Sequence, residues 1–331
     1  MDAINDLTRR MLLAGAATGS VLAATAPALA QRPQQPPRTK GPLVWRDMDQ
    51  KDLDEAYDQA VYAPNIQTVL QRCIRNSELV RERLGPPKRF AYGPTAIEGL
   101  DVFTTKVPNA PVNVFVHGGA WRSGLAKNYH YPAELFVNAG ANLAVIDFNN
   151  VTETGGDLLA MADQVRRATA WVYKNAKSFG ADPERLYISG HSSGGHWAGV
   201  LLTTDWQNDF GLPPGFIKGG VSGSGMYDLT PVRLSQRSSY VKFTDEIVEK
   251  LSAQRHLDKL VAPVHLVHGT NETPEFQRQT RDFAAAVKAA GKPVALSVME
   301  GYNHFEVMEQ LGNPYSLFGR AVLAQMGLAP A

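Results

Sequence analysis

Apolar residues recur along this chain in two alternating rhythms. Val112–Val116, Leu143–Ile146, Leu186–Ile188 and Val264–Val267 are compact runs, most of them rich in β-branched residues. Such runs suit strands of a sheet covered on both faces. Leu100-Asp101-Val102-Phe103-Thr104 alternates like a half-buried strand, a Gly/Ser-rich strand is expected near 219–225, and Ala295–Met299 makes the last one. Between these runs the period changes. Leu158, Ala162, Val165, Thr169, Val172 and Ala176 fall at steps of three and four. They predict a helix over 157–179, started by Asp157 as cap and stopped by Gly180. Residues 276–290 and 314–326 predict two more, and 52–84 reads as helical pieces broken near Pro64 and ended by Gly85-Pro86. A helix is also expected from Gly195 onward. Strands alternating with helices predict one α/β domain over 43–331, a mostly parallel sheet flanked by helices. Residues 226–260 break the alternation with polar residues and short helical pieces, the natural place for a small cap over a site.

The first 42 residues stand apart from that pattern. Thr8-Arg9-Arg10-Met11 opens an Ala/Gly-rich apolar run that closes on Ala28-Leu29-Ala30. A charged start, an apolar middle and an A-x-A end read as a secretory signal, and the paired arginines as a twin-arginine signal over 1–30. The run is too rich in Ala, Gly and Thr to suit a span of about 20 strongly apolar residues. Export to a bacterial periplasm follows, with Gln31 as the expected first mature residue and a Pro-rich linker over 31–42. No lasting membrane association is expected after removal of the signal.

Composition changes this picture only by exclusion. Of 331 residues, 20% are charged and the net charge is +1, which is not the basic balance of a nucleic-acid binder. The single cysteine, Cys73, cannot form an intrachain disulfide and reads as a small buried hydrophobe on its helix. No phosphate-binding loop or dinucleotide fingerprint is present, so no cofactor is implied.

The chemistry concentrates at 190–194. Gly190-His191-Ser192-Ser193-Gly194 fits G-x-S-x-G and falls between a predicted strand and a predicted helix, the context that makes this pattern informative. The glycines permit a turn sharp enough to present the Ser192 hydroxyl at a helix N-terminus. Ser193 follows the nucleophile, where its backbone N–H can help hold an oxyanion. Gly223-Ser224-Gly225 lacks the first glycine of the pattern and reads as a packed strand end.

A serine hydroxyl needs a base. His304 follows the last strand and is the candidate. The acid that orients it should follow the preceding strand, where Glu272 and Glu275 compete. Glu272 lies straight after the strand. Glu275 follows Pro274 in the first turn of a helix, where an acid already has a structural role. Glu272 is therefore preferred. His117-Gly118-Gly119-Ala120-Trp121 follows an earlier strand and can supply further oxyanion donors from Gly118 and Gly119. Trp121 and His191 are expected to line the substrate pocket. His191 and His196 flank a sharp turn, and without H-E-x-x-H or a cysteine cluster they make no metal pair. His130 is expected at the pocket entrance or on the surface, and His268 beneath the acid loop.

On these residues the chain resembles the α/β-hydrolase superfamily. More narrowly it is similar to the kynurenine formamidase (arylformamidase) and small-esterase group. The pieces that carry the resemblance are 117–121, 190–196, 227–231, 273–279 and 303–305. The resemblance implies Ser192, Glu272 and His304 as triad, though family members often carry Asp where this chain has Glu272. Asp147-Phe148-Asn149-Asn150 lacks the Tyr-Arg pair common after the fourth strand in the superfamily, so the pocket floor is expected to differ. An export signal is also unusual for tryptophan catabolism. The resulting expectation is an exported serine esterase or amidase acting on a small aryl or short-acyl substrate. Arylformamidase action on N-formylkynurenine, a carbamate hydrolase, an acyltransferase, and a binding protein on the same scaffold are the alternatives.

Overall fold

The computed structural model describes residues 38–329. The expected signal over 1–30 and the linker up to residue 37 lie outside the described residues. A hairpin of Leu43–Trp45 and Met48–Asp49 opens the domain. Eight strands then form one sheet: β1 Lys88–Ala91, β2 Gly99–Phe103, β3 Ala110–Val116, β4 Asn142–Ile146, β5 Ala181–His191, β6 Ile217–Gly223, β7 Val264–Gly269 and β8 Val294–Met299. Their spatial order is β1-β2-β4-β3-β5-β6-β7-β8. β2 runs antiparallel to both β1 and β4, and every other pairing is parallel.

The two-residue period of the strands sorts side chains onto two cores. On β3, Val112, Val114 and Val116 join one cluster, and Phe115 joins the other. The first core packs under helices Leu158–Asn175, Ser193–Leu202 and Pro274–Ala289, through Met161, Val165, Trp197, Leu201, Phe276 and Phe283. The second packs under Ile66–Leu84 and Leu317–Gln325, through Val69, Val80, Phe318 and Val322. Cys73 sits in this second core, where burial pushes its thiol up to about 12. Each such large side chain contributes about 1.5–3 kcal/mol by leaving water.

The long helix starts where its cap was expected. The Asp157 carboxylate accepts from the Leu159 N–H at 2.7 Å, and Gly180 ends the last turn with φ +83°. The final helix begins later than its pattern predicts, at Leu317, because the Ser316 side chain caps it. β1 was not foreseen: Lys88-Arg89-Phe90-Ala91 is a polar, mostly exposed edge strand without a hydrophobic period. Residues 226–260 form the short helices Thr230–Leu234 and Asp245–Leu251 with a single 3-10 turn, Gln236–Ser239, between them. Among the described residues, no helix is long and apolar enough to cross a membrane.

Candidate active site

Parallel strands end on the same edge of the sheet, so the loops after β3, β5, β7 and β8 meet there. Ser192 caps the helix that follows β5. Its φ is +60° and its N–H donates to the Gly223 carbonyl at 2.9 Å, which pins the turn to β6. The turn tolerates no side chain at Gly194, whose Cβ would stand 2.0 Å from the Val116 carbonyl oxygen. Positive φ at a residue with a Cβ is strained backbone, and here surrounding strands hold it.

The β3 loop passes directly over this turn. A Cβ at Gly118 would lie 3.2 Å from the Ser192 Cβ. Gly119, Ala120 and Trp121 all have positive φ, 120°, 55° and 63°, and the chain coils inward on itself there. His117 braces the loop: its Nδ1–H donates to the Gly118 carbonyl at 2.8 Å. Its ring is stacked between Phe148 at 4.6 Å and Tyr129 at 5.0 Å. Burial lowers the pKa of His117. Phe148, in the stretch that lacks the Tyr-Arg pair, is thus buried in the first core behind His117 and does not line the cleft. Ser193 takes the first position of the helix, where the N–H has no intrahelical acceptor.

His304 begins the helix His304–Glu309 after β8. Asn303 caps it in a reciprocal box with Glu306. The His304 Nδ1–H donates to Glu272 Oε2 at 2.8 Å, and both side chains are buried. That bond leaves Nε2 as the nitrogen available to the pocket, which His304 lines together with Ser192. Glu272 also accepts from the Gly269 N–H at 2.7 Å, the Ser224 hydroxyl at 2.6 Å and, more distantly, Gln59 Nε2 at 3.5 Å. Glu275 points elsewhere. It holds Arg278 through both oxygens, at 2.6 and 2.7 Å, and accepts from the Tyr57 hydroxyl at 3.1 Å.

These residues surround a cleft of about 500 Å³. Gly118, Gly119, His191, Ser192 and His304 line it, as their sequence positions imply. His191 is buried, with its ring 4.5 Å from that of His304. Burial, and then the neighbouring imidazole, hold His191 well below the usual histidine range, and neither ring nitrogen makes a well-formed hydrogen bond.

Three expectations change. Trp121 does not line the cleft. The left-handed turn at 119–121 drives its indole into the core, 2% exposed, with its Nε1–H donating to His196 Nδ1 at 3.3 Å. His130 is neither entrance nor surface: it is buried, its Nε2–H donating to Asp101 at 3.0 Å while Arg81 donates to Nδ1 at 3.0 Å. The 226–260 segment supplies only one wall, through Gln236, Arg237, Ser239 and Tyr240; Tyr57–Ala60, Ile66 and Leu70 supply the facing one.

Sequence reasoning passed over Ser224, Gln59 and Asn65. Ser224 does end a packed strand, and its φ of +48° turns the hydroxyl onto Glu272. Asn65 donates to Glu306 at 2.7 Å and accepts from Asn303 at 2.8 Å, tying the His304 helix to the N-terminal segment. The Gly-Ser-Gly run beside the nucleophile strand was the one available signal for Ser224.

Comparison with known proteins points to hydrolases. The BD-FAE family matches residues 100–215. Kynurenine formamidase of Danio rerio is 26% identical over 296 residues, covering 86% of this chain and 98% of that enzyme. Esterase LipQ of Mycobacterium tuberculosis is 29% identical over 243 residues, covering 62% of this chain and 55% of LipQ. Among solved structures, a proposed thioesterase of Silicibacter sp. superposes with a TM-score of 0.69 at 22% identity, over 80% of this chain and 96% of that one. A thermophilic esterase of Thermogutta terrifontis superposes at 0.58 and 19% identity, over 73% of this chain and 90% of that one. The sheet order and the elbow at Ser192 are those of an α/β-hydrolase fold, and the relatives support a hydrolase acting on esters or amides that is similar to kynurenine formamidases and esterases.

Proposed function

We propose that this chain is a serine hydrolase that cleaves a small aryl or short-acyl ester or amide through an acyl-enzyme. The observation that carries the reading is the His304–Glu272 hydrogen bond of 2.8 Å, buried beneath a cleft that His304 shares with Ser192. Ser192 Oγ attacks the acyl carbon and its proton passes to His304 Nε2. Glu272 fixes the tautomer and stabilises the imidazolium. The N–H groups of Gly118, Gly119 and Ser193 receive the oxyanion, each such donor being worth about 3–4 kcal/mol of barrier. The leaving group takes the proton from His304. Water, deprotonated by the same imidazole, then releases the acid.

Substitution of Ser192 by Ala tests this. Hydrolysis of a panel of 4-nitrophenyl esters, acetanilides and an aryl carbamate should fall about a million-fold in kcat, as loss of such a nucleophile does in subtilisin. A fluorophosphonate should label wild-type protein at Ser192. Undiminished turnover in Ser192→Ala would remove the mechanism.

N-formylkynurenine as substrate is a second reading, favoured by the 98% length match to the Danio rerio enzyme. Its deformylation, followed by loss of absorbance of the formyl ketone, separates it from a general esterase. Periplasmic export belongs to the same proposal and rests on Arg9-Arg10 and Ala28-Leu29-Ala30. Substituting both arginines by lysine should retain the protein in the cytoplasmic fraction.

A further inference from the structure

Arg237 lies in the wall of the cleft and is 7% exposed. Its guanidinium donates to the Tyr240 hydroxyl at 2.9 Å and to the Tyr57 carbonyl at 3.1 Å, and its Nε–H has no acceptor. Among the described residues no carboxylate lies within 4.0 Å of it. Half-buried Arg167 and Arg278 each hold two carboxylates, whereas half-buried Arg166 donates to the Thr204 hydroxyl at 3.0 Å and, like Arg237, has no carboxylate within 4.0 Å among the described residues. The acids around the cleft are committed elsewhere. Glu272 serves His304, Glu275 serves Arg278, and Asp58 caps its own turn through the Ala60 N–H at 3.0 Å. A buried charge without a counterion is costly. The rings of Trp121 at 5.6 Å and of Tyr57 and Phe276 at 6.0 Å offset part of that cost. They supply no acceptor for the unused N–H groups.

A second cation stands beside it. Arg122 also lines the cleft, its guanidinium 4.4 Å over the Tyr240 ring, and it too lacks a carboxylate within 4.0 Å among the described residues. Tyr240 thus contacts two arginines that both line the cleft. We infer that Arg237, with Arg122, is an anion subsite of this cleft, and that the substrate is an ester or amide bearing a carboxylate away from the scissile bond. The planar guanidinium fork matches that group in geometry and charge. The inference rests on the hydrolase reading above and names the substrate class for it.

Two matched pairs test it. One places the carboxylate on the acyl chain: the 4-nitrophenyl monoester of glutaric acid against 4-nitrophenyl pentanoate. The other places it on the leaving group: 4-acetoxybenzoate against 4-acetoxybenzamide. In wild-type protein the anionic member of at least one pair should lead in kcat/KM by roughly 10- to 100-fold, the range of a charged hydrogen bond. Its KM should rise with added NaCl, and that of the neutral member should not. In Arg237→Met the ratio should collapse toward one, and Arg237→Lys should restore part of it. A wild-type ratio at or below one in both pairs would overturn the subsite whether or not the variants fold, as would a ratio unmoved in folded Arg237→Met. Fluorophosphonate labelling of Ser192 without cleavage of either pair would overturn the carboxylate assignment alone. Absence of both labelling and cleavage in folded protein would overturn the hydrolase reading and this one with it.

Discussion

Acidification should unfold this protein through a histidine that takes no part in the proposed chemistry. His196 lies in the elbow helix and is completely buried. Its Nε2–H donates to the Leu251 carbonyl at 3.0 Å, and its Nδ1 accepts from Trp121 at 3.3 Å. A second proton would have to enter at Nδ1, against an indole N–H. Burial first, with a smaller repulsion from Arg166, lowers the pKa from 6.5 to about 3. The unfolded chain therefore binds this proton and the native chain does not. Stability is intact above about pH 6.5 and falls as pH drops toward about 3. At pH 5 the loss from His196 alone is about 2 kcal/mol, with a slope near 1.4 kcal/mol per pH unit. His117 and His191, also lowered by burial, add to the slope with the same sign. Urea unfolding between pH 7.5 and 5 measures this. His196→Gln keeps a donor and an acceptor but cannot titrate, so its slope near pH 5 should be smaller by about one proton. Equal slopes for the two proteins would refute the argument, whatever their absolute stabilities.

Three further outcomes concern the site and the second core. Glu272→Gln should lower kcat about 10⁴-fold, as loss of the triad acid does elsewhere; Glu275→Gln should instead cost about 3–5 kcal/mol of stability by breaking a buried pair with Arg278, with kcat within about tenfold. Reversal of those two phenotypes in steady-state kinetics and thermal melts would exchange the roles of the two acids. Ser224→Gly, which tolerates the positive φ, should reduce kcat about tenfold with little change in KM, because one hydrogen bond to the buried carboxylate is lost; an unchanged kcat would deny Ser224 its positioning role. Cys73, buried with its thiol raised to about 12, should resist a thiol-exchange reagent at pH 8 in the native state and react at once in urea.

The catalytic candidates were legible because each is announced by local chemistry. A nucleophile elbow needs glycines at fixed offsets, and its base and acid follow particular strands, so Ser192, Glu272 and His304 are readable in chain order. Strands such as Val112–Val116 were equally plain, since burial on both faces demands an unbroken apolar run. The edge strand Lys88–Ala91 was not, because an exposed edge imposes no such demand.

What only the tertiary structure decided is how distant segments complete the site. Gln59 reaches Glu272 across 213 positions, and Asn65 reaches Glu306 across 241. No periodicity records a contact of that range. Trp121 followed the same logic in reverse: its place after a glycine pair suggested a pocket wall, and three successive positive φ angles turned it into the core. Arg237 looked like one more polar residue in a cap segment. Its meaning comes from the aromatic rings that bury it and the acids that are pledged to other partners. The sequence determined which groups can react, because reactivity belongs to residue type and local backbone. The fold decided what they face, because burial and charge balance are set by neighbours far away along the chain.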